Sequence, residues 1–350
     1  MKGYDPIELA KRLRPKMIDL ENKKVLLAGF GGTGQSKDFS KQHLIGDWAR
    51  KKIYLKPREK NLPDMWKEPA GIASQNLNVP PDECNATFTI QVKGCNLACW
   101  FCYVDDENKS ACHDKGVWVS AEEILTAFLV ESRKFQRHPN PDERVNIIRI
   151  SGGEVSIVPE IILWLIEAVE KWGLENHVYL WADTNLTTLN TFWGNLSRQD
   201  VEKIAAFRNF GIVGCYKGID PESYHDNTGA NPDTWMAQFL SHRLLVDTGF
   251  DVYSYLSPTI FFRNEGDEKH LEGRLRNFIM TMEHVVDPAA AGRLYPLEIK
   301  SYSPMEGRLT PERQKALEFH QKVRELLRKI QRERFGRSLD CPHDIPTKTK

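Results

Sequence analysis

The sequence predicts an α/β fold built as a partial (β/α)6 parallel barrel. An N-terminal extension, partly irregular, is expected over 1–80, the barrel core over 81–305, and a C-terminal helix and tail over 306–350. Three observations lead there. From about residue 86 the chain alternates strand-like and helix-like hydrophobic patterns, which implies a parallel sheet with crossover helices. The 350 residues suffice for a barrel of roughly 200–250 residues with extensions. The motifs that look chemical follow strands, where such barrels carry their function.

The elements follow in order. "TFTIQVK" (87–93) alternates polar and apolar residues and reads as a strand. Ser120 and Glu123 form a capping box, and Ile124, Leu125, Phe128, Leu129 and Phe135 make one helical stripe after it. "VNIIRI" (145–150) is a buried-strand pattern, and Pro159 opens a helix with Ile161, Ile162, Leu165, Ile166 and Val169 on its apolar face. "HVYLWA" (177–182) is a strand, 200–207 a weaker helix, and "GIVGCY" (211–216) a strand. A helix over 233–247 is expected to turn Trp235, Met236, Phe239, Leu240 and Leu244 inward. "VYSYLSP" (252–258), a helix over 270–285 and "RLYPLEI" (293–299) complete the alternation, with Pro296 marking the last strand as an edge. Thr310 caps and Pro311 begins a final helix over 310–335, with Leu317, Val323, Leu327 and Ile330 inward and a basic outer face. Residues 1–80 show one strand-like piece, at 24–28.

Composition removes several classes of function. Charge balances at 48 basic and 48 acidic residues, so nonspecific nucleic-acid or membrane binding is not expected as the main task. The N-terminal stretch has no signal-like apolar core, and no run approaches the ~20 apolar residues of a membrane span. Seven cysteines, odd in number and partly clustered, suit a reducing cytoplasm better than a disulfide scaffold.

Three of those cysteines lie in "GCNLACWFCYVDD" (94–106), as C-x3-C-x2-C immediately after the first barrel strand. Structural zinc wants four ligands, usually in two close pairs. An ordinary electron-transfer cluster also takes four cysteines. Cys84, Cys112, His113, Cys215 or Cys341 would have to complete such a set, and none holds a pair-like position. Three thiolates suit instead a [4Fe–4S] cluster with one iron left open to a small molecule, as open catalytic metal sites are. A noncatalytic iron–sulfur or zinc-binding protein remains the alternative reading.

With Phe101 before the last cysteine, this stretch resembles the signature of the radical S-adenosylmethionine (radical SAM) superfamily, and the resemblance runs over residues 86–305. It implies that Cys95, Cys99 and Cys102 hold a [4Fe–4S] cluster, and that S-adenosylmethionine is the second cofactor. "SGGE" (151–154), at the second strand end, is similar to the family's GGE motif. There Gly152 and Gly153 would let backbone approach the ligand, and Glu154 would offer a carboxylate to its ammonium group. "ADTN" (182–185) and "CYKGIDPESYHDNTG" (215–229) are nearest in pattern to the branch containing glycyl-radical-enzyme activases, though Leu186 stands where that branch has glycine. Thr184 or Asn185 would lie near the cofactor's ribose or methionine part, and Lys217 near its carboxylate or the substrate. Ser257, Thr259 and Arg263 are weaker candidates, and Tyr302 in "YPLEIKSYSP" (295–304) reads more readily as packing. His113, His225 and His343 read as surface or capping residues, and "CPHD" (341–344) as a minor metal candidate.

The resemblance implies reductive cleavage of S-adenosylmethionine to a 5′-deoxyadenosyl radical that takes hydrogen from a substrate. It implies a flavodoxin- or ferredoxin-like electron donor. A protein or peptide glycyl position is one substrate class, with small-molecule rearrangement and RNA modification as rivals. A separate pattern, "VLLAGFGGTG" (25–34), matches the G-x-G-x-x-G dinucleotide fingerprint. Too few residues follow it for a nucleotide domain, so a glycine-rich turn packed on the barrel is expected.

Overall fold

A computed structural model of the chain describes residues 2–38, 43–53, 71–79, 86–136, 145–188, 194–263 and 267–336. Its strands, in chain order, are β1 (Ile18–Asp19), β2 (Lys24–Ala28), β3 (His43–Ile45), β4 (Ala49–Ile53), β5 (Ala86–Val92), β6 (Gly116–Ser120), β7 (Val145–Gly152), β8 (Tyr179–Thr184), β9 (Phe210–Tyr216), β10 (Val252–Leu256) and β11 (Leu294–Pro296). Strands β5, β7, β8, β9, β10 and β11 run parallel, each beside the next, and helices fill the crossovers. The six-strand parallel core is therefore as the alternation predicts. The sheet stays open, and β11 is a three-residue edge strand that carries Pro296.

The helices follow the local chemistry. The Ser120 hydroxyl accepts from the Glu123 N–H, and Glu123 accepts from the Ser120 N–H at 2.7 Å, closing the capping box before Ala121–Gln136. Ile161, Ile162, Leu165, Ile166 and Val169 are fully buried on Glu160–Lys171. They pack on the outward residues of the sheet, such as Ile148 and Ile150, as one core. Thr310 caps Pro311–Phe335, which ends at Gly336 in the left-handed conformation. The helix Met236–Thr248 turns differently from expectation. Met236 and Leu240 are exposed, while Gln238, Ser241 and His242 are buried with Phe239, Leu245 and Val246. Polar residues take the inner face because they have partners there: Gln238 donates to the Asn185 and Cys215 carbonyls, and His242 pairs with the Tyr216 hydroxyl at 2.9 Å.

The N-terminal part holds more order than its composition shows. β4 pairs antiparallel with β5, β3 pairs with β4, and β2 pairs antiparallel with β6 and with the end of β5. β4 reads "ARKKI", and its charges hide a strand from any hydrophobic pattern. Its pairing places Arg50 beside Thr89 and Lys52 beside Thr87, on the inner face of the sheet. The helix Ile72–Leu77 closes the bottom of that inner face, where Ile72, Ala73 and Leu77 pack with Ile147, Tyr179, Trp181, Val213 and Tyr253.

The glycine-rich run after β2 leads into a five-residue helix, Gly34–Asp38, rather than a nucleotide crossover. Its first N–H groups are already taken. Asp105, just past the cysteine loop, accepts from Gly34 at 2.8 Å and from Gln35 at 3.1 Å. The run is a turn packed on the barrel, as expected. Among the described residues no helix is long and apolar enough to cross a membrane.

Candidate active site

Strand β5 ends at Val92 and releases the cysteine loop at the rim of the inner face. Cys95, Cys99 and Cys102 all line one cavity of about 280 Å³, together with Phe101. Phe101 lies edge-on to Trp100, whose indole N–H donates to Asn227 at 3.1 Å. Burial, then Glu154 and Cys99, push the Cys95 thiol up; burial pushes Cys99 up to about 11, against the pull of Lys217. Buried thiols of this kind become thiolates most readily on binding a cationic centre. Two N–H groups already face the sulfurs: Val104 N–H donates to Cys102 Sγ at 3.4 Å, and the Asn185 amide lies 3.9 Å from Cys95 Sγ. Such N–H···S contacts are how proteins support iron–sulfur clusters. Among the described residues no three His, Cys, Asp or Glu side chains are set to hold one metal ion. These residues fit a three-cysteine cluster.

The second rim element, the turn after β7, is locked to the cysteine loop. The Gly153 N–H donates to the Val92 carbonyl at 2.9 Å, and the Glu154 N–H donates to the Gly94 carbonyl at 2.8 Å. Gly152 holds φ +94, which favours glycine, and a Cβ on Gly153 would overlap the Gly94 carbonyl oxygen. The glycines thus let two protein backbones touch; both also line the cavity.

Glu154 is 1% exposed. Its Oε1 accepts from the Ser156 N–H and hydroxyl and from the Thr184 hydroxyl at 2.6 Å; its Oε2 accepts from the Asn185 N–H at 2.7 Å. Burial raises its pKa, and the bonds from Ser156 and Thr184 oppose the rise. A carboxylate has about four acceptor sites, so Oε2 retains room for one more donor. The Asn185 amide donates to Asn96 at 2.9 Å and its carbonyl accepts from Thr187, so this residue joins the β8 end to the cysteine loop. Leu186 sits at φ +63, a backbone state that favours glycine, with its side chain buried against Gly214.

Lys217, past β9, lines the cavity with the three cysteines. Burial works against its charge. The negative charge that Cys215, Cys99, Cys102 and Cys95 carry as thiolates outweighs that and raises its pKa. Ser257 also lines the cavity, 1% exposed, and its hydroxyl has no hydrogen-bond partner among the described residues. Tyr302 lines it too, with its ring 5.9 Å from that of Tyr103. Thr259 is instead held by Asn227 at 3.0 Å, and Arg263 forms surface pairs with Glu222 and Asp226; neither lines the cavity. His113 bonds the Lys16 carbonyl and His225 the Ala230 carbonyl, as capping residues do. Cys112 is exposed beside Asp114. Cys84, Cys341, His343 and the "CPHD" stretch lie outside the described residues.

Sequence reasoning missed part of the lining. Arg149 donates to Asp183 at 2.7 and 3.0 Å, Ser151 donates to the same oxygen at 2.6 Å, and the Trp181 indole donates to its partner oxygen at 2.9 Å. Arg50, Lys52, Tyr103, Cys215, Tyr255 and Glu298 also face the cavity. The signal was present: an arginine inside "VNIIRI" is a buried charge, and buried charges have partners.

Two clasps hold the cysteine loop from outside. The Tyr4 hydroxyl accepts from the Ala98 N–H at 2.8 Å and donates to the Thr228 carbonyl at 3.1 Å. The Arg308 guanidinium donates to the Cys102 carbonyl at 2.9 Å and to the Val104 carbonyl at 3.0 Å.

No curated protein matches the chain. Among solved structures, it is similar to TYW1 with a lysine–pyruvate adduct bound, at 12% identity and TM-score 0.45 over 91% of this chain and 90% of that one. It is similar to Streptococcus suis SuiB bound to S-adenosylmethionine at 17% identity and TM-score 0.38, over 63% of this chain and 40% of SuiB. A radical SAM methyltransferase from Sphaerobacter thermophilus aligns at 11% identity and TM-score 0.39, over 67% of this chain and 64% of that one. Residues 89–272, more than half of the chain, match the Radical SAM superfamily. The chain belongs to the radical SAM superfamily, whose cofactors are a [4Fe–4S] cluster and S-adenosylmethionine.

Proposed function

We propose that this protein is an enzyme that reductively cleaves S-adenosylmethionine and uses the resulting radical to take hydrogen from a substrate. The observation that carries the reading is one cavity lined by Cys95, Cys99, Cys102, Gly152, Gly153, Glu154 and Lys217. When bound, the cluster supplies one electron to the sulfonium, which yields methionine and a 5′-deoxyadenosyl radical.

The residues divide the work by chemistry. Cys95, Cys99 and Cys102 hold the cluster. Glu154 Oε2, with its remaining acceptor site, receives the ammonium group of S-adenosylmethionine, while its other bonds fix the β7 and β8 rims at one spacing. Lys217 offers a cation to the carboxylate. Thr184 acts mainly through Glu154, and Asn185 positions the cysteine loop. Ser257 offers its unpartnered hydroxyl to the cofactor or the substrate. An electron donor of flavodoxin or ferredoxin type is the partner this chemistry requires.

A glycyl position of a protein or peptide is the finer reading that "ADTN" and "CYKGIDPESYHDNTG" support, and Leu186 at a glycine-favouring φ is in keeping with it. The test is anaerobic purification, iron and sulfide analysis, then reduction with dithionite in the presence of S-adenosylmethionine. Formation of 5′-deoxyadenosine, lost in Cys99→Ala, is the expected result. A fully loaded protein that forms none would remove the proposal.

A further inference from the structure

Strand β9 turns its side chains alternately inward and outward. Val213 joins the apolar floor of the inner face with Trp181 and Tyr253, Cys215 packs against that floor, and Tyr216 points out to His242. Lys217 faces inward again, ~7 Å further along the strand at the usual rise per residue. It lines the cavity together with Cys215 and the three loop cysteines. The Cys215 thiol therefore sits between the floor and Lys217. Its backbone is fixed there: the Gln238 amide donates to the Cys215 carbonyl at 3.2 Å and to the Asn185 carbonyl at 2.6 Å. Its sulfur is in no disulfide and makes no hydrogen bond among the described residues.

A second group beside it awaits a partner. Cys215 pairs with Tyr255 across β9 and β10, and the Ser257 N–H donates to the Tyr216 carbonyl at 2.9 Å, which brings Ser257 up beside Lys217. Ser257 is 1% exposed and lines the same cavity, and its hydroxyl has no partner among the described residues. A buried hydroxyl in that state marks where a polar group of a bound molecule goes. A molecule that meets Ser257 thus lies diagonally across the strand pair from the Cys215 thiol.

A thiol S–H bond is weaker than an aliphatic C–H bond, so a carbon radical can take its hydrogen. Burial pushes the Cys215 thiol up to about 12 against the pull of Lys217, so the sulfur keeps its hydrogen at neutral pH. The loop cysteines, as cluster ligands, would carry none. We propose that Cys215 is a catalytic residue that delivers a hydrogen atom to a carbon radical in this cavity. The proposal rests on the function proposed above and adds its closing step. The S–H bond breaks homolytically and a C–H bond forms on the substrate-derived radical, which leaves a closed-shell product and a Cys215 thiyl radical. One electron from the flavodoxin- or ferredoxin-type donor and one proton from water restore the thiol.

The test needs no substrate, because the 5′-deoxyadenosyl radical is itself the probe. The full-length, cluster-loaded chain is reduced with dithionite and S-adenosylmethionine in D2O, where a thiol exchanges its hydrogen and a C–H bond does not. Deuterium in 5′-deoxyadenosine, read by mass spectrometry, is expected from the wild type and from Cys112→Ser, the exposed control. Cys215→Ala and Cys215→Ser should still form 5′-deoxyadenosine, with the deuterium lost and with wild-type iron and sulfide. Tyr103, which lines the cavity and shares a hydrogen bond with Ser151 at 3.1 Å, is the rival donor. Deuterium that persists without Cys215, or that is lost in Tyr103→Phe instead, overturns the proposal, and so does loss of iron from the Cys215 variants, which would make Cys215 a cluster ligand. Should the variants fail to fold, the unreduced wild-type chain decides. S-adenosylmethionine should slow iodoacetamide labelling of Cys215 and leave Cys112 as it is; an unchanged Cys215 rate overturns the proposal. 5′-Deoxyadenosine without deuterium from the wild type removes this proposal alone, whereas no 5′-deoxyadenosine at all removes the cleavage reading and this one with it.

Discussion

The backbone N–H of Glu154 donates to the carbonyl of Gly94 at 2.8 Å, and this bond joins the turn after β7 to the first residue of the cysteine loop. The two cavity-lining segments are thereby one unit, although sixty residues separate them in the chain.

Gly153→Ala tests that unit. The added methyl would overlap the Gly94 carbonyl, so one backbone must move. A loss of about 2–4 kcal/mol in urea unfolding is expected. Iron content per chain should fall with it, because the cysteine loop is the segment displaced. Full stability with full iron would show that the contact does not position the loop.

Glu154→Gln separates bracing from ligand binding. The amide keeps one acceptor oxygen but places an NH2 against donors from Ser156 and Thr184 or from Asn185. Destabilisation of about 2 kcal/mol is expected. Affinity for S-adenosylmethionine should drop as well, measured by equilibrium binding to the loaded protein. If stability falls and affinity holds, Glu154 braces the rims and does not meet the ammonium.

His242 sets an acid limit. Burial, and secondarily Arg293, hold its pKa down to about 3 against an ordinary value of 6.5. Between those values the unfolded chain binds a proton that the folded one does not. Stability is therefore lost as pH falls below 6.5, by about 1.4 kcal/mol per pH unit from this group. His242→Gln should flatten that slope in urea midpoints taken from pH 6 to pH 4; parallel curves for the two proteins would contradict the assignment.

Cysteine reactivity should rank by burial. Cys112 is exposed, whereas burial pushes Cys215 up to about 12 despite Lys217. Thiolate is the reactive form. Iodoacetamide at pH 8 should label Cys112 before Cys215, which is half-buried and faces the cavity, as peptide mass spectrometry would reveal. Equal labelling rates for Cys112 and Cys215 would mean that the raised pKa does not protect the cavity-facing thiol.

What the sequence disclosed follows from how strongly each part is patterned. The six parallel strands are runs rich in β-branched and aromatic residues between helices, and both signals are local. The cysteine loop and "SGGE" were legible because spacing and chemistry coincide. β4 was not, since "ARKKI" turns its cations inward and so imitates a solvated stretch. The inner face of Met236–Thr248 is hidden for the complementary reason: Gln238 and His242 are buried because of partners just past β8 and on β9 that no local pattern announces. Asp183 and Arg149 lie 34 residues apart, and only the register of β7 and β8 brings them together.

The clasp from Arg308 has a consequence for biogenesis. Arg308 lies 206 residues beyond Cys102, the residue whose carbonyl it holds. During synthesis the loop therefore leaves the ribosome long before its fastener exists. A contact this distant in sequence is also among the slower ones to form. The loop thus gains this fastener only when the C-terminal part of the chain is made, and the finished molecule grips it from both ends of the sequence, through Tyr4 and through Arg308.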